Sequence, residues 1–350
     1  MTMNALRLAV AGAGLIGRTH IDLLTRRTDA RLCAVVDPAP AAAELAAQQG
    51  VPHFTALEAL LAHDRPDGVI LATPNALHVP QALQCLAAGV SVLVEKPIAP
   101  TVAEAKQLVR AAGSATARVL IGHHRAHSPL MARAREVVQS GQLGRLVAVM
   151  GSAAFFKPDH YFADGPWRTQ PGGGPILINM IHEVHNLRML CGDIVAVQAF
   201  ASNAVRGFAV EDTVSINLRF ASGALGSFLL SDTAACARSW EQTSQENKAY
   251  PSYADEDCYV VTGTLGSLSV PTMRLKTYPG PEESSWWKPF EEGRVDLVRE
   301  DPLQRQMAHF VQVIRGQAEP LVSARDGMQN LCVTEAIAEA ARTGRVVELD

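Results

Sequence analysis

No two cysteines in this 350-residue chain stand at Cys-x-x-Cys spacing. The six that it has, Cys33, Cys85, Cys191, Cys236, Cys258 and Cys332, are far apart, which argues against a structural zinc site and against a disulfide framework. No apolar run reaches the roughly 18 residues that a membrane-crossing helix needs. The opening Met1-Thr2-Met3-Asn4 has neither the basic start nor the long apolar stretch of a secretion signal. Charge is scarce as well: 19% of residues are charged and the formal net charge is −4, with no basic stripe and no block of one sign. A nucleic-acid partner is therefore not expected. These absences lead us to expect a cytoplasmic protein with no membrane attachment, whose partner is a small molecule.

What the chain has is apolar material, 48% of it, and a length suited to two domains. Up to residue 122, short β-branched runs alternate with helical stretches. The runs are Leu6–Ala11, Leu32–Val36, Gly68–Ala72, Val90–Val94 and Val119–Ile121, and Thr101 with Glu104 has the spacing of a capping box. Unbroken apolar strands between helices predict a parallel sheet covered on both faces. After His123 the rhythm changes. Runs such as Leu146–Ala154, Thr213–Phe220 and Ala224–Leu230, some joined across short turns, predict a large and mainly antiparallel open sheet. One helix, Pro175–Cys191, interrupts it, and two more close the chain. The expected fold is an α/β Rossmann domain over 1–123 followed by an α+β substrate and assembly domain over 124–350, with the last helices able to pack back on the first. The polar stretch Trp240–Asp257 is long for a connection in such a domain.

Gly12-Ala13-Gly14-Leu15-Ile16-Gly17 has Gly-x-Gly-x-x-Gly spacing, follows a strand and opens a helix. The first glycine permits the turn, the second lets backbone approach a pyrophosphate, and the third lets strand and helix pack closely. The N–H groups at the helix start then face phosphate. Asp37, twenty residues after Gly17 at the end of the next strand, is placed to bind the adenosine ribose hydroxyls. Its charge repels a 2′-phosphate and no arginine follows it, so NAD is expected rather than NADP. An aspartate that only caps the turn is the alternative.

Thr73-Pro74-Asn75-Ala76-Leu77-His78 and Glu95-Lys96-Pro97 each follow a strand of the first half, at the carboxyl end where open α/β sheets bind ligands. With the glycine motif, Gly122-His123-His124-Arg125, Gly141-Gln142-Leu143-Gly144, Trp167-Arg168, Gly172-Gly173-Gly174 and Gly263-Thr264-Leu265-Gly266-Ser267, the chain resembles the glucose–fructose oxidoreductase, inositol dehydrogenase and MocA (Gfo/Idh/MocA) family over nearly its whole length. The resemblance implies a dehydrogenase acting on CH–OH groups. It implies that Lys96 lies beside the nicotinamide and touches the reacting oxygen, and that His182 is the second catalytic residue, suited by its pKa to take the alcohol proton. Thr73, Pro74, Asn75, His78, Glu95 and Arg168 are expected around the cofactor. His124, Arg125, Tyr161, Arg168, Asn179 and His185 are expected around the substrate, with Lys157 a weaker candidate.

At helical spacing Asn179, His182, Glu183 and Asn186 share a stripe, which solvent alone could also explain. The chain departs from the family pattern at Ile178, where several members carry aspartate, and at His185, where aspartate is common. That leaves open a sugar, cyclitol or related polyol, a non-sugar cyclic hydroxy compound, or a non-catalytic NAD-binding sensor. His123, His124 and His127 lack an obvious carboxylate or cysteine partner, so no metal is expected. In the resembling family the C-terminal sheet often packs against that of a neighbour, which implies a homodimer or homotetramer.

Overall fold

Six strands alternate with helices at the start of the chain: β1 Leu6–Ala11, β2 Ala30–Val36, β3 His53–Phe54, β4 Gly68–Leu71, β5 Ser91–Glu95 and β6 Val119–Gly122. The computed structural model describes residues 4–349. All six strands are parallel, in the order β3-β2-β1-β4-β5-β6. The order reverses between β1 and β4, which opens a crevice at their carboxyl ends. Every residue of β4, β5 and β6 is buried, as apolar runs covered on both faces must be. The predicted capping box is present: Thr101 accepts from the Glu104 N–H at 3.3 Å and opens the helix Val102–Ser114.

The described residues up to His124 form one unit together with Leu303–Leu331, and Arg125–Pro302 with the residues from Cys332 form another. Met307, Phe310 and Val311, from the helix Pro302–Ile314, join Leu8, Val10, Ile70 and Leu93 in the core of the first unit. Burying a side chain such as Phe310 contributes about 1.5–3 kcal/mol. A Cβ on Gly68 would stand 2.7 Å from Ile314 Cδ1, so this glycine admits the helix against the sheet.

The second unit is built on nine strands: β7 Leu146–Ala154, β8 Ile194–Ser202, β9 Thr213–Phe220, β10 Leu225–Ser231, β11 Tyr259–Gly263, β12 Gly266–Val270, β13 Arg274–Thr277, β14 Glu291–Arg294 and β15 Val347–Glu348. Their order is β14-β13-β12-β11-β7-β10-β9-β8-β15. Only the β7–β10 pair is parallel. In β9, Val214, Ile216, Leu218 and Phe220 are buried while Ser215, Asn217 and Arg219 are exposed, the alternation of a sheet with one face on a core. That core includes Leu130, Met131 and Ala134 from the helix Pro129–Gln139 and Val184, Leu187 and Leu190 from the helix Ile181–Cys191.

Two differences from the sequence reading have clear causes. Glu291–Arg294 is entirely exposed, so β14 carries no apolar alternation to betray it. The helix expected over Pro175–Cys191 begins instead as a π-helical turn, Ile176–Met180, and becomes α-helical only from Ile181.

Candidate active site

The glycine loop lies at the carboxyl end of β1. Gly12 has φ +93°, and a Cβ there would meet Ala72 O at 2.4 Å. A Cβ on Gly17 would fall 1.9 Å from Gly12 O. Gly14 differs: it is exposed, and nothing lies within 4 Å of its would-be Cβ. Packing therefore demands the first and third glycines, while the second leaves a clear approach. The helix Leu15–Thr25 begins there with no side-chain cap and no acidic residue in its first turn, so its N–H groups are not competed for by the protein's own carboxylates. Leu15 is exposed and Ile16 half-buried at this start. Asp37 accepts from Ala13 N through one oxygen and from Ala39 N through the other, both at 2.8 Å. It thereby fixes the loop, and each oxygen keeps lone-pair capacity for a ribose hydroxyl. An open, uncapped helix start beside a half-buried carboxylate fits a dinucleotide.

The ends of β4 and β5 are tied together by a histidine. His78 is buried, with Nδ1 2.8 Å from Pro97 O and Nε2 2.9 Å from Thr73 O. Burial lowers its pKa, against the pull of the two carbonyls. Thr73 donates to Gln81 Oε1 at 2.7 Å, Asn75 is half-buried and Pro74 is exposed. Beneath Lys96, Glu95 is buried, with Oε1 2.9 Å from His20 Nε2, and its other oxygen accepts from Lys96 N at 3.3 Å. Burial alone would raise the Glu95 pKa, but His20, Lys96 and His124 together hold it below its usual value. A Cβ on Gly122 would stand 3.0 Å from the Glu95 carboxyl, so the glycine makes room for it. Lys96 itself is half-buried, as is His124.

In the second unit, His182, Glu183, His185 and Asn186 are all buried on the helix Ile181–Cys191. Glu183 receives Arg125 Nη1 at 2.6 Å and the Tyr259 hydroxyl, while Asn186 Nδ2 donates to Tyr259 Oη at 3.0 Å. Arg125 Nη2 reaches Glu241 at 2.8 Å. Burial works against the charge on Arg125, but Glu183 and Glu241 raise its pKa, so the guanidinium stays protonated. A second polar group lies nearer the π turn. Lys157 Nζ is 2.7 Å from Asn179 Oδ1 and 3.3 Å from Asp232 Oδ2. Burial pushes the Lys157 pKa down to about 8; Asp232 opposes this, and Arg206 and Arg168 add to it. Arg168 stacks 3.9 Å over the Tyr161 ring and donates to the Tyr161 carbonyl. Glu211 accepts from Ile176 N at 2.8 Å at the start of the π turn, and burial raises its pKa. Among the described residues no group of three His, Cys, Asp or Glu side chains is placed to hold a metal ion.

Residues 6–123 match the model of an oxidoreductase family with an NAD-binding Rossmann fold, and residues 131–269 match the Gfo/Idh/MocA C-terminal domain. The chain belongs to the Gfo/Idh/MocA oxidoreductase family. It is 27% identical to 1,5-anhydro-D-fructose reductase of Ensifer adhaerens, over 98% of each chain. It is 26% identical to the rhizopine catabolism protein MocA of Rhizobium meliloti, over 96% of this chain and 95% of that one. Its fold superimposes with TM-score 0.78 on the WlbA dehydrogenase of Bordetella pertussis, solved with NADH and UDP-GlcNAcA, at 25% identity over 99% of both chains. It is an NAD-dependent oxidoreductase of CH–OH groups.

Within this Gfo/Idh/MocA member, Gly12, Gly14 and Gly17 follow β1, Asp37 follows β2 and bonds that loop at Ala13, and Thr73, His78, Glu95 and Lys96 lie at the ends of β4 and β5. His78, expected against the cofactor, is buried with one ring nitrogen beside the Pro97 carbonyl and the other beside the Thr73 carbonyl. Arg125 was expected at the substrate, and both of its Nη atoms are taken by buried or partly buried carboxylates. The solvated-stripe reading of the helix does not hold, since His182, Glu183 and Asn186 are buried. Sequence reasoning missed His20, Asp232, Arg206 and Glu211. His20 had a faint signal: it lies one residue before Ile21 on the buried side of a helix that otherwise buries apolar side chains. The others have partners far along the chain and left none.

Proposed function

We propose that this enzyme exchanges a hydride between NAD and the secondary alcohol or ketone of a sugar, cyclitol or related polyol, with Lys96 and His182 handling the reacting oxygen. The observation that carries the reading is the bracing of Lys96. Its own N–H is held by Glu95, Glu95 is held by the fully buried His20, and the next residue's carbonyl is held by His78. So many buried polar groups committed to one half-buried lysine at a strand's carboxyl end suit a working ammonium better than a surface one. NAD supplies the hydride acceptor when bound. Lys96 orients the substrate hydroxyl and stabilises negative charge on its oxygen, and His182 takes the proton as the C–H hydride leaves, returning it in reduction. Thr73, Asn75 and Arg168 serve the cofactor, and Tyr161, His124 and His185 line the substrate side. Relatives named for anhydrofructose and inositol support a carbohydrate substrate, while Ile178 in place of a carboxylate speaks against inositol itself. The buried thiols Cys33, Cys85, Cys191 and Cys258, whose pKa values burial raises, suit a reducing cytoplasm.

The test is NADH formation from NAD across a panel of aldoses, cyclitols and hydroxy acids. His182→Ala is expected to lower kcat by roughly 10²–10⁴-fold, the range for a lost general base. Lys96→Ala should cost at least as much while NAD affinity stays within a few-fold, because the phosphate loop is untouched. Full turnover by His182→Ala would remove its assigned role.

A further inference from the structure

His182 lies on a helix whose opening turns are buried on every side. Val184 and Leu187 join the core of the second unit, and the polar residues His182, Glu183, His185 and Asn186 are buried as well. Apolar packing is not directional, so it selects the face that a helix buries without closely fixing its rotation or its position along the axis. Directed hydrogen bonds between well-held groups fix both.

Glu183, the residue after His182, is held through both oxygens: Oε1 receives Arg125 Nη1 at 2.6 Å and Oε2 receives the Tyr259 hydroxyl. Asn186, three residues on and so on the same side of the helix, donates from Nδ2 to Tyr259 Oη at 3.0 Å. One phenol oxygen thus binds two successive turns, and neither a rotation nor a slide of the helix keeps both bonds. The anchors are themselves fixed. The Tyr259 ring, on β11, stacks 6.0 Å from the buried Trp240 and lies 6.4 Å from Phe228. A Cβ on Gly151 of the neighbouring strand β7 would stand 2.5 Å from Phe228 Cδ2 and 3.3 Å from Tyr259 Cδ1, so that glycine leaves room for both rings. Arg125 is tied by its other arm to Glu241 at 2.8 Å, and its guanidinium is 5.7 Å from the centre of the Trp240 ring. Burial, and then Glu183, raises the Tyr259 pKa well above its usual value, so the hydroxyl keeps the proton that it donates.

Taking a carboxylate, a guanidinium and a phenol out of water is costly, and apolar side chains of similar volume often stabilise a fold as well or better. Stability therefore does not account for this cluster; what it adds is a fixed geometry. We propose that Glu183, Arg125 and Tyr259 are positioning residues, which hold the helix so that the His182 imidazole stays placed for proton transfer. Glu241 makes the polar stretch Trp240–Asp257 part of the same support. This rests on the assignment of His182 above.

The experiment is a double-mutant cycle on kcat for NADH formation, run with the panel member that turns over fastest. Tyr259→Phe removes the hydroxyl and leaves the ring. It should lower kcat by roughly 10- to 100-fold, the scale of a small misplacement of a reacting group. KM and NAD affinity should stay within about threefold, because binding is untouched. In the His182→Ala background the same change should cost less than about twofold, since the group being positioned is gone. A purely structural role would multiply the two losses. Thermal unfolding is followed in parallel. If Tyr259→Phe does not fold, Glu241→Ala, at a partly exposed position, takes its place, with a kcat loss of about fivefold or more and the same non-additivity. A wild-type kcat in the variant that folds, or losses that multiply, overturns the proposal while leaving the proposed reaction standing. Full turnover by His182→Ala, or no turnover of any panel member, overturns both.

Discussion

Asp37 holds the cofactor loop and is proposed to choose the cofactor with the same two oxygens. They accept from Ala13 N and Ala39 N in the protein, and their charge disfavours a 2′-phosphate. Asp37→Asn keeps an oxygen for Ala13 N and removes the charge. The preference for NADH over NADPH, measured by fluorescence titration, should then fall by about tenfold or more, since one unit charge near a phosphate is worth on the order of 1–3 kcal/mol. Equal preference in the variant and wild type would mean that Asp37 is only a turn cap. At the same scale, His20→Ala leaves the Glu95 carboxylate buried without its partner. Leaving a buried hydrogen-bonding group without its partner costs about 1–3 kcal/mol, and more for a charged one. A clear fall in the unfolding midpoint is expected, and no fall would show that the pair does not hold the strand end. The turn at Gly12–Gly17 was legible in the sequence because a Cβ on Gly17 would meet Gly12, a near neighbour in the chain. His20 and Lys157 were not read as partners, because Glu95 lies 75 residues from one and Asp232 is an ordinary strand-end residue far from the other.

Two elements carry more than their sequence suggested. The stretch Trp240–Asp257 reads as a long polar connection, yet it is pinned at several points. Trp240 is buried and stacks 6.0 Å from Tyr259, and Asp257 accepts from Thr272 N at 2.9 Å. Glu246 receives Trp240 Nε1 at 3.1 Å and the Ser128 hydroxyl, with Glu241, Arg125 and Arg299 also facing it. Burial pushes the Glu246 pKa up to about 7, despite the Ser128 and Trp240 hydrogen bonds, and Glu241 adds to the rise. A carboxyl whose folded pKa lies above its unfolded value binds more protons in the folded state. Its contribution to stability is thus full below the unfolded pKa and lost as pH rises through about 7. Urea midpoints should therefore fall between about pH 5 and 7.5 through this group, and Glu246→Gln should flatten that slope. An unchanged slope would show that Glu246 titrates normally. The π turn at Ile176–Met180 is the other such element. Periodicity cannot reveal it, because the apolar residues around it read equally well as α-helix.

At the scale of the whole molecule, the nine-stranded sheet has one face on its core and exposes apolar side chains on strands β7, β8 and β10. Val147, Met150, Phe200, Leu225 and Leu229 are between 46% and 68% exposed. Exposed apolar side chains on the adjacent strands β7 and β10, continued on β8 beyond the polar outer face of β9, mark an interface more often than a free surface. We propose that a second copy covers them in a symmetric dimer, itself able to pair into a tetramer. Leu225→Asp with Leu229→Asp should yield monomers in light scattering at micromolar concentration, with the circular dichroism spectrum retained. A wild-type monomer under the same conditions would dismiss the interface.

The sequence by itself determined the alternation of strand and helix that opens the first unit, and its glycine turn. Strand, glycine turn, helix and acidic strand end follow one another within about forty residues, and their geometry depends on local sterics: a Cβ on Gly17 collides with Gly12, five residues away. It also determined the alternation of β9 and the helix over Val102–Ser114 with its Thr101 cap. Tertiary structure alone decided the polar interior of the second unit. Arg125 meets Glu241 across 116 positions and Glu183 meets Tyr259 across 76, and nothing in either local pattern distinguishes a buried, paired charge from a solvated one. It alone decided, too, which way the Asn179 amide faces. That orientation is set by an ammonium brought in from 22 residues earlier, because a buried donor must be met by an acceptor.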